Sequence, residues 1–313
     1  NSSSIPYYLR GHTAIDKELM LIKSRSQEES LAMFDEYSEI MENILLVHNS
    51  SFYNSHNFVS LPIRNEIEDI PDKSCMLFLG SHEKGCDHIL EDLQYTLSNL
   101  NKKQLYQYVV LVGKTDDTIP RSLCIPKNVI RIYANNIDYP HPKIHFFPMG
   151  RDRRSIPQFS FTPSERKPTL CYCNFSVDTH PVREKIYNSL KDKPFIKFEH
   201  MGPFLAYEHS EHLSRDNFFQ NLCSSKFAIC PRGNALDTFR FYDALYCGCI
   251  PIVVKTRWHR YFEELPILFL QHEDDFAKLS QEWLDEMYVT LQNKRRTYYP
   301  ELDFRFWIDI VRS

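Results

Sequence analysis

Three charged side chains in one short stretch, Arg232, Arg240 and Asp243, have the types and spacing of a site for an anion and a diol. Arg240 and Asp243 stand three residues apart, so any helix that contains them carries both on one face. Two guanidiniums beside a helix N-terminus make a phosphate or diphosphate site, because planar donors grip oxygens in pairs and free backbone N–H groups add to them. A carboxylate on the same face accepts hydrogen bonds from the vicinal hydroxyls of a ribose. The competing reading is an ion-pair network on an ordinary helix face, since Arg-x-x-Asp is common on helices. The ordered constellation between two core strands favours the anion site.

These residues sit in SSKFAICPRGNALDTFRFYDALYCGCIPIVV, residues 224–254. Lys226 to Cys230 predicts a short buried strand that Pro231 stops. Gly233 and Asn234 predict a tight turn at positive φ. Asp237 and Thr238 predict N-cap chemistry for a helix that Gly248 ends, and the β-branched run Ile250 to Val254 predicts a doubly covered parallel strand. A strand–turn–helix–strand unit puts its loop at the carboxyl edge of the sheet, where α/β proteins bind ligands.

The full pattern, CPRGN-x-x-D-T-x-R-x-x-D-A-L-x-x-G-C-I-P-I-V, resembles the donor-binding signature of exostosin-type glycosyltransferases. Cys171 to Arg183, CYCNFSVDTHPVR, resembles the first strand and loop of the same domain, and the likeness runs over residues 165–270. It implies an α/β protein of two Rossmann-like lobes facing a cleft, the GT-B architecture. It also implies inverting sugar transfer from a nucleotide sugar, with no metal and no cofactor beyond that co-substrate. Arg232 and Arg240 would then clamp the diphosphate, helped by backbone N–H groups at Gly233, Asn234 and the helix start at Asp237 and Thr238. Asp243 would hold the ribose, and Asn174, Thr179 and Arg183 would face the same crevice, Arg183 having a second reading as a solvated helix residue.

The inverting reaction also needs a base on the acceptor side. The loop Ser81 to His88 follows a strand of the first lobe and offers His82, Glu83 and Asp87. Glu83 is the choice, with Asp87 second because it reads equally as the N-cap of the next helix. The loops Gly113 to Asp117 and Gly150 to Arg154 are further places to grip an acceptor. The donor expected is a UDP-sugar such as UDP-xylose, and the acceptor a glycan or glycoprotein. The alternatives are a GDP-sugar-dependent, fucosyltransferase-like enzyme and a nucleotide-sugar-binding protein without turnover.

Hydrophobic periodicity arranges the rest. Ser26 to Met41 has helical spacing, and residues 49–74 read as irregular. Strands are expected at Cys75–Gly80, Tyr108–Gly113, Val129–Tyr133 and Lys143–Phe147, and in the second half at Thr169–Asn174, Phe195–Glu199 and Ile267–Leu270. Residues 148–168 contain four prolines and many charges, which reads as a linker. The expected division is an acceptor-binding lobe at 1–150, a linker at 151–168, a nucleotide-sugar-binding lobe at 169–300, and a terminal helix at 301–313 that crosses back to the first lobe.

Composition leaves room for this. A chain of 313 residues with 42% hydrophobic and 25% charged residues can bury sizeable cores. A net charge of −4 gives no electrostatic reason to expect nucleic acid or an anionic membrane as a partner. Nine cysteines without zinc spacing read as buried free thiols, which favours a reducing, cytoplasmic setting. The resemblance implies the Golgi lumen instead if an N-terminal anchor precedes these residues; within them no apolar run reaches membrane-spanning length. The sequon at Asn174-Phe175-Ser176 falls at a strand end and reads as a chance match. The group His200, His209 and His212, with Glu208 and Glu211, reads as a solvated loop rather than a metal site. Trp258 reads as a core plug.

Overall fold

A computed structural model describes residues 58–61, 75–79, 89–112, 115–150, 164, 166–199, 215–295, 300–302 and 304–312. The helix expected at Ser26–Met41, the base candidates His82, Glu83 and Asp87, most of the linker, the loop beyond Gly150 and the histidine group at 200–212 lie outside these residues. The chain divides into two compact units, residues 1–149 with 303–313, and residues 150–302.

In the first unit a parallel sheet carries the strands in sequence order: β1 (Phe58–Leu61), β2 (Cys75–Leu79), β3 (Tyr108–Val112), β4 (Val129–Ala134) and β5 (Ile144–Phe146). Strand β1 arises inside the stretch expected to be irregular. Its four residues pair in parallel with β2, so tertiary pairing overrides a weak local signal. Helix α1 (Ile89–Leu100) lays Leu93, Leu97 and Leu100 on the sheet residues Leu77, Val110 and Ile132, all buried. Every residue of β3 is buried, as a strand covered on both faces must be.

The second unit contains β6 (Thr169–Cys173), α2 (Pro181–Leu190), β7 (Ile196–Phe198), α3 (Arg215–Cys223), β8 (Ser225–Ile229), α4 (Phe239–Tyr246), β9 (Ile250–Val254), β10 (Leu268–Leu270) and α5 (Gln281–Gln292). Its sheet is also parallel, with order β10-β9-β8-β6-β7. Strand β6 pairs with β7 on one side and β8 on the other, so the winding reverses between β6 and β8. A crevice forms outside the carboxyl ends of two strands at such a reversal, and ligands bind there. Cys171, Phe227, Ile229, Ile250, Ile252 and Phe276 fill the core behind it. Each side chain of this kind contributes about 1.5–3 kcal/mol when fully buried.

At the opposite, amino edge of this sheet, buried Lys167 donates from Nζ to the carbonyls of Cys223 (2.8 Å) and Cys247 (3.4 Å). These carbonyls end α3 and α4, so one ammonium closes two helix C-termini. Burial pushes the lysine below its ordinary range. The last helix, α6 (Phe304–Arg312), belongs to the first unit: the Trp307 ring lies 5.5 Å from that of Phe146, and the Tyr133 hydroxyl donates to the Ile310 carbonyl at 3.3 Å. No helix among the described residues is long and apolar enough to cross a membrane.

Candidate functional site

The winding reversal sets the place. Strand β6 ends in Cys173 and hands the chain to Asn174, Phe175 and Ser176; β8 ends in Ile229 and hands it to Cys230, Pro231, Arg232 and Gly233. These two loops are joined by Arg183 of α2. Its Nε donates to the Arg232 carbonyl (2.7 Å), Nη1 to the Ser176 carbonyl (3.1 Å) and Nη2 to the Pro231 carbonyl (3.4 Å). Its guanidinium carbon lies 5.5 Å from the centre of the Phe175 ring. Arg183 is therefore not a solvated helix residue: it is buried, and its donors staple the two loops. The cause is geometric, since helix α2 starts directly behind the first loop and its opening turn reaches the second.

Gly233 fits beneath that staple. A Cβ at this position would stand 3.1 Å from Nη2 of Arg183 and 3.9 Å from the Thr179 hydroxyl. The positive φ expected at Gly233 and Asn234 is not found; among described residues only Asn136, Gly150 and Gly248 have it. Close approach, not backbone handedness, is what requires glycine here. Arg232 folds back on its own loop, donating from Nε to the Gly233 carbonyl (3.2 Å) and from Nη2 to the Asn234 carbonyl (3.0 Å). Asn234 itself is exposed. Thr179 donates to the Ser176 carbonyl at 3.4 Å.

Arg240 is differently placed. It stands in the first turn of α4, half-buried, and its Nη2 donates to Oδ1 of Asn174 at 3.4 Å. Its guanidinium carbon lies 5.3 Å from the centre of the Phe218 ring. Its Nε is buried without a hydrogen-bond partner, and Arg240 makes no ion pair among the described residues. The ion-pair reading fails at Arg240: Asp243, one turn on, is buried at 3% exposure and does not bridge to it. The Arg240 charge is instead felt by the ends of β6 and β8. Burial pushes the Cys173 thiol up to about 12, and Arg240 acts against that push.

The helix start departs from the expected cap. Thr238 is the N-cap of α4 by backbone, at φ −137°, but its side chain makes no capping bond. Asp237 is fully buried and accepts from the Tyr242 hydroxyl at 2.9 Å. The Thr238 side chain is thus not what caps the opening turn of α4.

Sequence reasoning missed four contributors. Tyr172, between the two cysteines of the CYC run, is buried and donates to Glu199 Oε2 at 3.2 Å; burial raises its phenol well above the ordinary range, with Arg240 opposing and Glu199 reinforcing the rise. Lys197 holds the other oxygen of Glu199 at 2.9 Å. Phe218 of α3 had no motif to mark it. His180 did have a signal, a polar residue directly before Pro181 at the start of a helix. It is the N-cap of α2, and its Nδ1 accepts from the Val182 N–H at 3.2 Å. Burial holds its imidazole below the ordinary range, helped by the charges of Arg232 and Arg183.

Trp258 is core, as read: it is 2% exposed and stacks on His259 with ring centres 3.7 Å apart. Burial pushes His259 down to about 3, so that ring is neutral. Asn174 is 5% exposed, which leaves no free amide for a glycan. Cys171, Cys173, Cys223, Cys230, Cys247 and Cys249 are buried free thiols, and Cys124 is an exposed one.

Against known proteins, the model of the exostosin GT47 domain family matches residues 81–266, well over half the chain. Exostosin-1 of Drosophila melanogaster is 38% identical over 56 residues, and the Exostosin-1 homolog of Caenorhabditis elegans 34% over 55. Each aligned stretch covers 18% of this chain, but only 7% and 14% of those proteins. Among solved structures, an alpha1,3-fucosyltransferase aligns over 75% of this chain and 76% of its own, at 12% identity and a TM-score of 0.41. TarM aligns over 79% and 56%, at 9% identity and a TM-score of 0.42.

Proposed function

This chain belongs to the exostosin GT47 family, and from that premise we propose that it is a glycosyltransferase acting on a nucleotide sugar, with the donor bound at the β6–β8 reversal. The observation that carries the reading is Arg240: a half-buried guanidinium with no carboxylate partner among the described residues, in the first turn of a helix, beside the crevice where α/β sheets bind ligands. A diphosphate supplies the missing negative charge.

In the reaction we infer, an acceptor hydroxyl oxygen attacks the anomeric carbon and the bond from that carbon to the diphosphate oxygen breaks. The diphosphate leaves with the electron pair, the hydroxyl proton passes to a base, and the anomeric configuration inverts. Arg240 and Arg232 offset the charge that grows on the leaving diphosphate, together with the positive end of the α4 dipole. Asn174 orients the Arg240 fork through its Oδ1. Asp243 is assigned to the ribose. Because guanidiniums and a helix start fill this role, the transfer is proposed to proceed without a divalent metal. The donor is assigned as a UDP-sugar, UDP-xylose among those to try, and the acceptor as a glycan. The base is assigned to Glu83 of the first unit.

The test is a transfer assay with UDP- and GDP-sugars over a glycan acceptor panel, run in EDTA. Turnover with a UDP-sugar in EDTA, lowered by about two to four orders of magnitude in Glu83→Gln, is expected. Turnover that vanishes in EDTA and returns with manganese would overturn the metal-free clamp. Full activity in Glu83→Gln with a dead Asp87→Asn would move the base to Asp87.

A further inference from the structure

We propose that His180 is a third side-chain contact for the donor's diphosphate, a neutral imidazole that donates from Nε2 to a diphosphate oxygen; this rests on the donor-site reading above. The ring's tautomer follows from its place in the fold. His180 is the extended residue before α2, at φ −161° and ψ 138°, and its Nδ1 accepts the Val182 N–H. An accepting Nδ1 carries a lone pair, so the ring hydrogen is on Nε2. That nitrogen has no hydrogen bond or ion pair among the described residues, and the ring is half-exposed.

The ring also belongs to the stapled loop pair. His180 closes the segment that begins at Asn174, and Arg183 ties that segment to Pro231 and Arg232. The charges that face the imidazole are Arg232 from the loop after β8, Arg183 from α2, and Glu273 from the 3-10 turn Glu273–Lys278, with the two arginines opposing protonation and Glu273 favouring it. Asp178 and Glu184 flank it in sequence. Asparagine or serine caps a helix as well as this ring does, so capping alone gives no reason for an imidazole beside two guanidiniums. An Nε2–H fixed beside two guanidiniums, free to donate to an arriving anion, does give one. Protonation would have to occur at Nδ1 and break the cap, and burial together with the two guanidiniums opposes it as well. A neutral histidine donor at a helix N-terminus is an established way to polarise oxygen without adding a charge.

The experiment pairs two variants with three ligands. His180→Asn keeps a capping oxygen for Val182 and removes the imidazole; His180→Ala removes both. Calorimetry with UDP, UMP and uridine, alongside thermal melting, separates contact from cap. We expect His180→Asn to melt like the wild type and to lose about five- to thirtyfold in UDP affinity, with uridine affinity unchanged. His180→Ala should lose both affinity and melting temperature. In a ¹⁵N spectrum of the histidine rings, the signal absent from His180→Asn should report an Nε2–H tautomer and shift on adding UDP. Wild-type affinity for UDP in His180→Asn, or an equal loss for uridine, overturns the proposal alone. Failure of the wild type to bind any of the nucleotides overturns the donor-site reading along with it.

Discussion

At Gly233 an added methyl group would lie 3.1 Å from Nη2 of Arg183, closer than such contacts normally come, with Cζ behind it at 3.5 Å. Gly233→Ala must therefore displace a guanidinium that holds three backbone carbonyls. The expected result is a stability loss of about 1–2 kcal/mol and a UDP affinity reduced several-fold, read by thermal melting and calorimetry. Unchanged values for both would mean that the staple yields freely and does not shape the site. The glycine itself was readable in the sequence, but its reason was not. Turn statistics suggest positive φ, whereas the true constraint comes from an arginine on another helix. Arg183 shows the same limit: a polar residue in a first helical turn reads as solvated until the second loop is seen to close over it. Arg240 and Asn174 were legible, because each stands at a fixed offset from a strand end. Tyr172 and Phe218 were not, because a buried or half-buried aromatic looks like core whether or not a guanidinium lies beside it.

Helix α4 carries the site on its first turn and is anchored at its far end. Lys167 donates to the Cys247 carbonyl just beyond α4 and to the Cys223 carbonyl that ends α3, while Arg295 Nη2 donates to the Gly248 carbonyl at 2.6 Å. Lys167→Met keeps the aliphatic stem and removes the ammonium that both carbonyls accept from, the Cys223 carbonyl keeping the Ser164 N–H at 3.3 Å. A destabilisation of about 1–3 kcal/mol is expected in urea unfolding, with a smaller loss of UDP affinity than substitution at the arginines produces. A variant as stable as wild type would show that Arg295 and solvent suffice to close both helices. Most strands of both sheets were legible, since buried parallel strands are near-continuous apolar runs such as Tyr108–Val112 and Ile250–Val254. The order of the strands was not. Nothing in the residues of β6 announces that β7 and β8 add to opposite sides of it, yet that reversal is what locates the crevice.

On the scale of the whole molecule, two parallel five-stranded sheets are found, each in its own unit, as the alternation of strand and helix predicted. The family match spans residues 81–266 and so reaches into both units. The thiols of the second unit are inert core: burial pushes Cys249, like Cys173, up to about 12. At the carboxyl edge of the same sheet, Arg240 makes no ion pair among the described residues. The central claim is that this edge binds a nucleoside diphosphate, and titration calorimetry of UDP into the wild type and Arg240→Ala tests it most directly. Binding of one UDP per chain is expected, with affinity in Arg240→Ala lower by roughly ten- to a hundredfold and melting behaviour unchanged, as for the loss of one charge-assisted contact. Equal affinity for UDP in the two proteins would contradict the claim, because it would remove from the site the residue on which the site is built.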